Sequence, residues 1–301
     1  MLNDYQLVHL NNGICSVRSL ADDETFHPVI GPVVEAEALY VNQLRLCERL
    51  HNHSGEFVIW DVGLGAAANA IAALRATREI PGQLRLVSFD NTTEPLEFAL
   101  QNATALGYLA GYENQAAVLL HNHRVEFQNG KLSVIWEFRL GDFPALLQSW
   151  SSRFSVPRPD KLKLELQPAP PHAIFFDAFS PAKNPAMWTL PLFENLFRAL
   201  DPQRPCALPT YSRSTILRVT LLLAGFFVGV GHATGLKEET TLAANTLDLI
   251  AEPLNARWLE RARRSHSAEP LREPVYSRAP LLAATVEKLR QHPQFNSISQ
   301  K

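Results

Sequence analysis

Phe57-Val-Ile-Trp-Asp61-Val-Gly63-Leu-Gly65-Ala-Ala-Ala-Asn69 is the stretch from which the rest of the chain can be read. An apolar run suited to a strand buried on both faces leads into Asp61, and a glycine turn passes at once into an Ala-rich segment, predicted as a helix over 66–77. Glycine at 63 and 65 lets the backbone turn tightly and approach a ligand, and the helix that follows aims its free amides at whatever sits there. The spacing is Asp-x-Gly-x-Gly, without the third glycine that helps a dinucleotide site admit a pyrophosphate. An acid just ahead of the turn suits a cation better than a phosphate. S-adenosylmethionine (SAM) carries an ammonium, a sulfonium and a ribose, so the turn favours a methyl donor over NAD. A plain tight turn between strand and helix is the alternative.

Two further acids end predicted strands. Leu84-Arg-Leu-Val-Ser-Phe-Asp90 reads as the next strand, and an acid at the tip of the strand after the glycine loop is where ribose hydroxyls are bound in doubly wound sheets. His172-Ala-Ile-Phe-Phe-Asp177-Ala-Phe179-Ser-Pro181-Ala-Lys183-Asn184-Pro185-Ala-Met-Trp188 is again a buried strand running into an acid, followed by a loop stiffened by prolines and closed by aromatics. At the carboxyl end of its strand, Asp177 can accept a proton from an incoming amine or orient its lone pair toward a methyl group. A turn-forming aspartate is the plainer reading. Asn129-Gly130 marks a hairpin within 125–138, and Gly141-Asp142 follows it. Asp142 either lies beside an adenine ring or caps a helix over 144–150. Glu35 falls in the first turn of a helix predicted from Pro32 to His51, where its charge complements the helix dipole.

The 301 residues are 46% apolar, enough for one large α/β domain with a modest appendage. Strands alternate with helices in the order of an open, mostly parallel sheet with helices on both faces, closing on a C-terminal antiparallel hairpin whose last strand is predicted over 240–250. The divisions read as an entry segment and helix over 1–52, the ligand-binding domain over 53–251, and a helical or partly disordered tail over 252–301, its last dozen residues without pattern. No run is long and apolar enough for a membrane span, and a polar start argues for a cytoplasmic protein. The three cysteines have no Cys-x-x-Cys spacing, so neither a disulfide framework nor a zinc site is expected. A net charge of −2 gives no global pull toward nucleic acid, so an RNA substrate needs a local basic face. Arg257, Arg261, Arg263 and Arg264 surround Trp258 on a predicted helix that either follows a phosphate backbone or faces water. Residues 151–171 read as a surface loop.

Asp177 to Trp188, taken with the glycine turn, resembles the methyltransferase domain of the bacterial enzymes that finish 5-methylaminomethyl-2-thiouridine at the tRNA wobble position. The likeness is to the stand-alone form, since no FAD-binding oxidase domain follows. It extends to Glu24-Thr-Phe-His27, Gly31, Glu35-Ala36, Ser88-Phe89-Asp90, Gly141-Asp142 and Thr210-Tyr211-Ser212, most of 13–250. The resemblance implies a Rossmann-like class I SAM-dependent methyltransferase that converts 5-aminomethyl(-2-thio)uridine to its methylaminomethyl form in the anticodon loop of tRNA, with any FAD oxidase activity on a separate protein. It implies that Glu35, Asp61, Gly63, Gly65, Asn69, Asp90 and Asp142 hold SAM and that Asp177 meets the aminomethyl group. His27, Phe179, Lys183, Asn184, Trp188 and Tyr211 then face the substrate.

Departures fall on the RNA side. Where the family has Ser-Ala-Gly followed by an arginine pair, this chain has Arg213-Ser214-Thr215 with only Arg218 left of the pair, and the family's basic Gly-Phe-Gly-Arg-Lys-Arg-Glu segment has become Gly235-Leu-Lys-Glu-Glu239. Each lost phosphate contact lowers affinity through reduced counterion release. A SAM-dependent methyltransferase acting on a small-molecule amine or another RNA is therefore the second reading. A non-catalytic module that keeps a SAM pocket is the third, and an NAD-dependent dehydrogenase the weakest.

Overall fold

The chain, described by a computed structural model over residues 4–151, 168–235 and 238–296, divides into two units. The first holds Met1–Phe143, Pro171–Asp177 and His232–Glu238. It opens with an antiparallel meander, β1 (Tyr5–His9), β2 (Cys15–Ser19) and β3 (Glu24–Thr25), whose first turn contains Asn11-Asn12-Gly13. The single helix expected from Pro32 to His51 is instead α1 (Pro32–Ala36), a π-helical stretch Glu37–Asn42 and α2 (Leu46–His51), broken by a left-handed Arg45 at φ 49°. In the widened stretch the Gln43 amide reaches back to Ala38 (3.1 Å), and the Tyr40 hydroxyl donates to the Phe176 carbonyl (3.3 Å).

The main sheet of this unit is built from β4 (Glu56–Val62), β5 (Gly82–Asp90), β6 (Arg124–Asn129), β7 (Leu132–Leu140) and β8 (Ala173–Phe176). Its order is β8-β4-β5-β7-β6, with parallel neighbours except for the β6–β7 hairpin. Between the strands run α3 (Ala68–Thr77), α4 (Glu94–Gln101), α5 (Ala103–Leu106) and α6 (Glu113–Asn122). The last of these falls in a stretch whose mixed polarity gave no helical reading. Trp60, Phe89, Trp136, Phe138, Phe175 and Phe176 are buried in and around the sheet, each worth roughly 1.5–3 kcal/mol of transfer free energy. This explains why strands with so few polar residues sit at the centre and not at an edge.

The β6–β7 turn lies one residue later than the Asn-Gly signal implies, because Asn129 still pairs with Leu132 and Gly130-Lys131 make the loop. Gly130 has φ 60°, and a β-carbon there would come within 2.4 Å of the Arg78 carbonyl oxygen. Gly130→Ala should therefore destabilise the protein by at least about 2 kcal/mol in urea unfolding, combining left-handed strain with a backbone clash. A loss below about 0.5 kcal/mol would show that the turn relaxes freely.

The second unit holds Pro144–Pro170, Ala178–Gly231 and Glu239–Lys301. Its strands are β9 (Ala207–Thr210), β10 (Phe227–Gly231) and β11 (Thr240–Ala244), with β11 antiparallel to both others, as the expected C-terminal hairpin requires. β11 stops well short of Ile250 because Asn245 leaves the ladder, accepting from the Cys206 amide (2.8 Å) and donating to the Arg204 carbonyl (2.8 Å). Helices Leu190–Ala199 and Thr215–Ala224 pack together, capped by the Thr189 and Ser214 hydroxyls. Part of the tail, up to residue 296, is more regular than its sequence suggests. Pro293–Asn296 is helical, and the buried Gln294 side chain bonds both the amide and carbonyl of Val228 (2.8 Å each) and the Leu254 carbonyl. One polar side chain satisfying three backbone groups anchors a segment that carries no periodic signal. The predicted loop over 151–171 lies mostly outside the described residues. No helix among the described residues is long and apolar enough to cross a membrane.

Candidate active site

Parallel pairing of β4 with β5 sets Asp61 beside Ser88. The Ser88 hydroxyl donates to Asp61 Oδ2 (2.7 Å) and accepts from the Trp136 indole (3.0 Å). Asp61 is fully buried, and its Oδ1 has no hydrogen-bond partner. Burial pushes its pKa up to about 8, against the Ser88 bond, with further upward pressure from Asp177 and Asp90.

Beyond Asp61 the chain turns back sharply. The amides of Gly63 and Leu64 both donate to the Phe89 carbonyl (3.0 Å each), and the Gly65 amide donates to Asp90 Oδ2 (2.8 Å). Asp90 Oδ1 also accepts from the Asn91 amide (2.8 Å), so burial raises this carboxyl while backbone amides hold it down. Gly65 has φ 50°, and a β-carbon would lie 3.2 Å from the Phe26 ring. Ala67 is left-handed at φ 64°, which delays the helix from residue 66 to Ala68. The Gly141 amide donates to the Asp90 carbonyl (2.8 Å), which places exposed Asp142 directly after this junction.

Asp177 emerges from β8 with its amide on the Val62 carbonyl (3.0 Å). Its Oδ2 accepts from Asn69 Nδ2 (2.7 Å) and lies 3.7 Å from His27 Nε2. On the other side, His27 Nδ1 is 3.9 Å from Glu35 Oε2. His27 is left-handed, at φ 48°, which holds the imidazole between two carboxylates drawn from distant parts of the chain. Glu35 thus joins His27 and is more than a charge at a helix start. Such an arrangement can take up and hold a proton. Asn69 Oδ1, like Asp61 Oδ1, is buried without a partner. Buried acceptors are normally satisfied, so two orphaned ones beside a glycine turn fit a ligand rich in donors and positive charge. An ammonium is such a ligand.

Apart from His27, the substrate-side residues named from sequence belong to the second unit. The Trp188 indole donates to the Phe179 carbonyl (2.7 Å), and the Tyr211 hydroxyl donates to the Ala178 carbonyl (3.1 Å). Trp188 and Tyr211 meet edge to face at 6.1 Å. Trp188 is buried and braces this loop, whereas Phe179 and Tyr211 are partly exposed. Lys183 is exposed, and its amide and that of Asn184 both bond the Ser180 carbonyl (2.9 and 2.8 Å).

Ser88 and Phe26, quoted above only within stretches that carry the family likeness, support the site together with Trp136 and Tyr108, whose hydroxyl bonds the Ala66 carbonyl (2.7 Å). A serine inside the apolar run 84–89 was the available signal for the first. Among the described residues no group of histidine, cysteine and acidic side chains could hold a metal ion.

Comparison with known proteins adds the family context. Residues 161–246 match a model described as S-adenosyl-L-methionine-dependent methyltransferase. The chain is 29% identical over 240 residues to the tRNA 5-methylaminomethyl-2-thiouridine biosynthesis bifunctional protein MnmC of Aeromonas hydrophila, covering 75% of this chain and 33% of that protein. It is likewise 29% identical over 242 residues to the protein of the same description from Methylibium petroleiphilum, covering 78% and 34%. The chain therefore spans about a third of the length of these curated relatives. Among solved structures it is similar to MnmC2 from Aquifex aeolicus, with a TM-score of 0.66 at 22% identity over 96% of this chain and 83% of that one. The expected Rossmann-like fold is borne out, and the matched model bears out the methyltransferase class with SAM as its cofactor.

Proposed function

We propose that the chain is an N-methyltransferase that converts 5-aminomethyl(-2-thio)uridine at the tRNA wobble position to the 5-methylaminomethyl form. The observation that carries this reading is the partly exposed Asp177 carboxylate at a strand end, fixed by Asn69 and flanked by His27. The names of the MnmC relatives supply the substrate. SAM, when bound, supplies an electrophilic methyl group on its sulfonium.

The residues that would hold the cofactor are those around the glycine turn. Asp61 Oδ1 offers a buried acceptor for the ammonium, and Gly63 and Gly65 let the backbone approach closely. Asp90, already gripped by amides, keeps acceptor capacity for ribose hydroxyls. Asn69 faces both ways, with one end on Asp177 and the other unpaired. Glu35 and Asp142 complete the set named from sequence.

Asp177 takes the proton that an aminomethyl group, an ammonium at neutral pH, must lose before its nitrogen has a lone pair to offer. With SAM bound, the amine freed of one proton would gain a C–N bond as the sulfonium C–S bond broke, and the product would keep the charge of a secondary ammonium. His27 shares the proton between Asp177 and Glu35, so the acid is not left protonated after one turnover. Phe179 and Tyr211 offer partly exposed rings for an unstacked base, with Trp188 bracing them and Lys183 and Asn184 on the same loop.

Incubating the protein with SAM and tRNA lacking the final methyl, then analysing nucleosides, tests the reading. The expected product is the methylaminomethyl nucleoside, and SAM binding without product would reject it. Turnover of free amines with no tRNA product would establish the small-molecule alternative. His27→Asn, which tolerates a left-handed backbone, should slow turnover about tenfold without weakening SAM binding. Unchanged turnover would remove His27 from the proton path.

A further inference from the structure

The arginine that the sequence leaves on the RNA side cannot serve there. Arg218 is buried, ion-paired with Glu239 (3.0 Å) and bonded to the Thr241 hydroxyl (3.0 Å) and the Thr240 carbonyl (2.7 Å). It staples a helix to β11, and burial lowers its pKa despite Glu239. Two further arginines, Arg261 and Arg213, stand close enough for their charges to oppose that of Arg218. Both are exposed.

Arg261 belongs to helix Ala256–Arg263, beside a shallow cavity of about 640 Å³ lined by Asn255, Ala256, Arg257, Glu260, Arg261 and Arg264. Four exposed arginines of this unit are matched by an acid three or four residues away: Arg198 with Glu194, Arg263 with Glu260, Arg272 with Glu269, Arg290 with Glu287. Arg213, Arg257, Arg261 and Arg264 make no ion pair among the described residues. Glu260, the acid in the cavity wall, is already engaged by Arg263 (2.8 Å). The aromatic of this helix, Trp258, is buried, so the face presents guanidinium groups without a stacking platform. Unmatched, closely spaced guanidinium groups with no base-stacking ring suit phosphates and not bases.

We infer that this arginine face, Arg257, Arg261 and Arg264 with Arg213, binds the phosphate backbone of the tRNA substrate and takes the place of the basic residues missing over 213–239. The inference rests on the proposed function for its substrate. Contact is sequence-independent and salt-sensitive, and it positions the RNA without reading the target base.

The test compares the full chain with the Arg213→Gln, Arg257→Gln, Arg261→Gln triple variant. The control is Arg198→Gln, Arg272→Gln, Arg290→Gln, with the same charge change at matched positions. An unmodified tRNA transcript is titrated by fluorescence anisotropy across several salt concentrations, with SAM calorimetry reporting an intact fold. The first variant should bind tRNA about tenfold more weakly at moderate salt, with the slope of log K against log salt reduced by roughly 2–3, and the control should stay near the parent. Equal binding by parent and first variant, or an equal loss in the control, overturns the face and leaves it to an acidic protein partner or to bulk charge. A parent that binds tRNA through this face but transfers no methyl would leave the face standing and reject the proposed reaction. A parent that binds no tRNA rejects both.

Discussion

Asp177→Asn should lower the single-turnover rate of tRNA methylation by on the order of 10³-fold, within the range removed when a general base is lost. The amide is isosteric, and its oxygen can still accept from Asn69 Nδ2, which now holds Asp177 at 2.7 Å. What disappears is the ability to take a proton from the substrate ammonium. SAM affinity should not fall. It should rise slightly near neutral pH, because the Asp177 charge is one of the causes that raise the Asp61 pKa. Asp177→Glu keeps the acid but lengthens it, and should retain more activity than the amide. If the amide variant methylates tRNA at the parental rate, Asp177 is not the base. If the parent itself is inactive and cells carrying Asp177→Asn show an unaltered nucleoside profile, the chain is a binding module with a vestigial pocket.

How much of this was legible beforehand depends on how local the causes are. The path from β4 through Asp61 and the glycine turn into α3 is dictated by neighbours in sequence: a doubly buried strand must be apolar, and a reversal at its end needs glycine. Asp90 was legible for the same reason, as the polar end of an apolar run. Even there the helix start moved by two residues, because Ala67 adopts a left-handed conformation that no alanine propensity suggests. The meeting of His27 with Asp177 was invisible to pattern. It follows from β8 adding beside β4, which carries residue 177 to the end of Val62, and from a strained backbone at His27. Similarly, Ser88 supports Asp61 only through the register of two parallel strands. Arg218 shows the opposite error. A basic residue in an RNA-side motif reads as a phosphate contact, but its helix turns it inward to Glu239 and Thr241. Charge is legible in sequence, whereas the direction it faces is a property of packing.

SAM binding should tighten steeply as pH rises toward 8. Asp61 is buried, with a pKa raised to about 8 chiefly by desolvation, and only its ionised form is a full partner for an ammonium. Below that value a proton must be lost on binding, so Kd should worsen by up to about tenfold per pH unit, or about 50-fold between pH 8, where half of the acid is ionised, and pH 6. Above it the α-amino group of the ligand, with an ordinary pKa of roughly 8, begins to lose its own charge, so affinity passes through a maximum. Calorimetry across this range reads the limb directly. Asp61→Asn keeps the Ser88 hydrogen bond, should bind SAM more weakly at pH 8, and should lose the acid limb. The same shift acts on stability with a defined sign. A carboxyl whose folded pKa lies above its unfolded value opposes folding in its ionised form, so the penalty is absent below about pH 4, grows with pH and is complete above about 8. The unliganded Asp61→Asn protein should accordingly gain in Tm over the parent as pH rises through that window, while losing the parent's response to SAM. A flat Kd from pH 6 to pH 8 in the parent would mean that the buried acid is not the ammonium's partner. An acid limb that persists in the variant would assign it to another group.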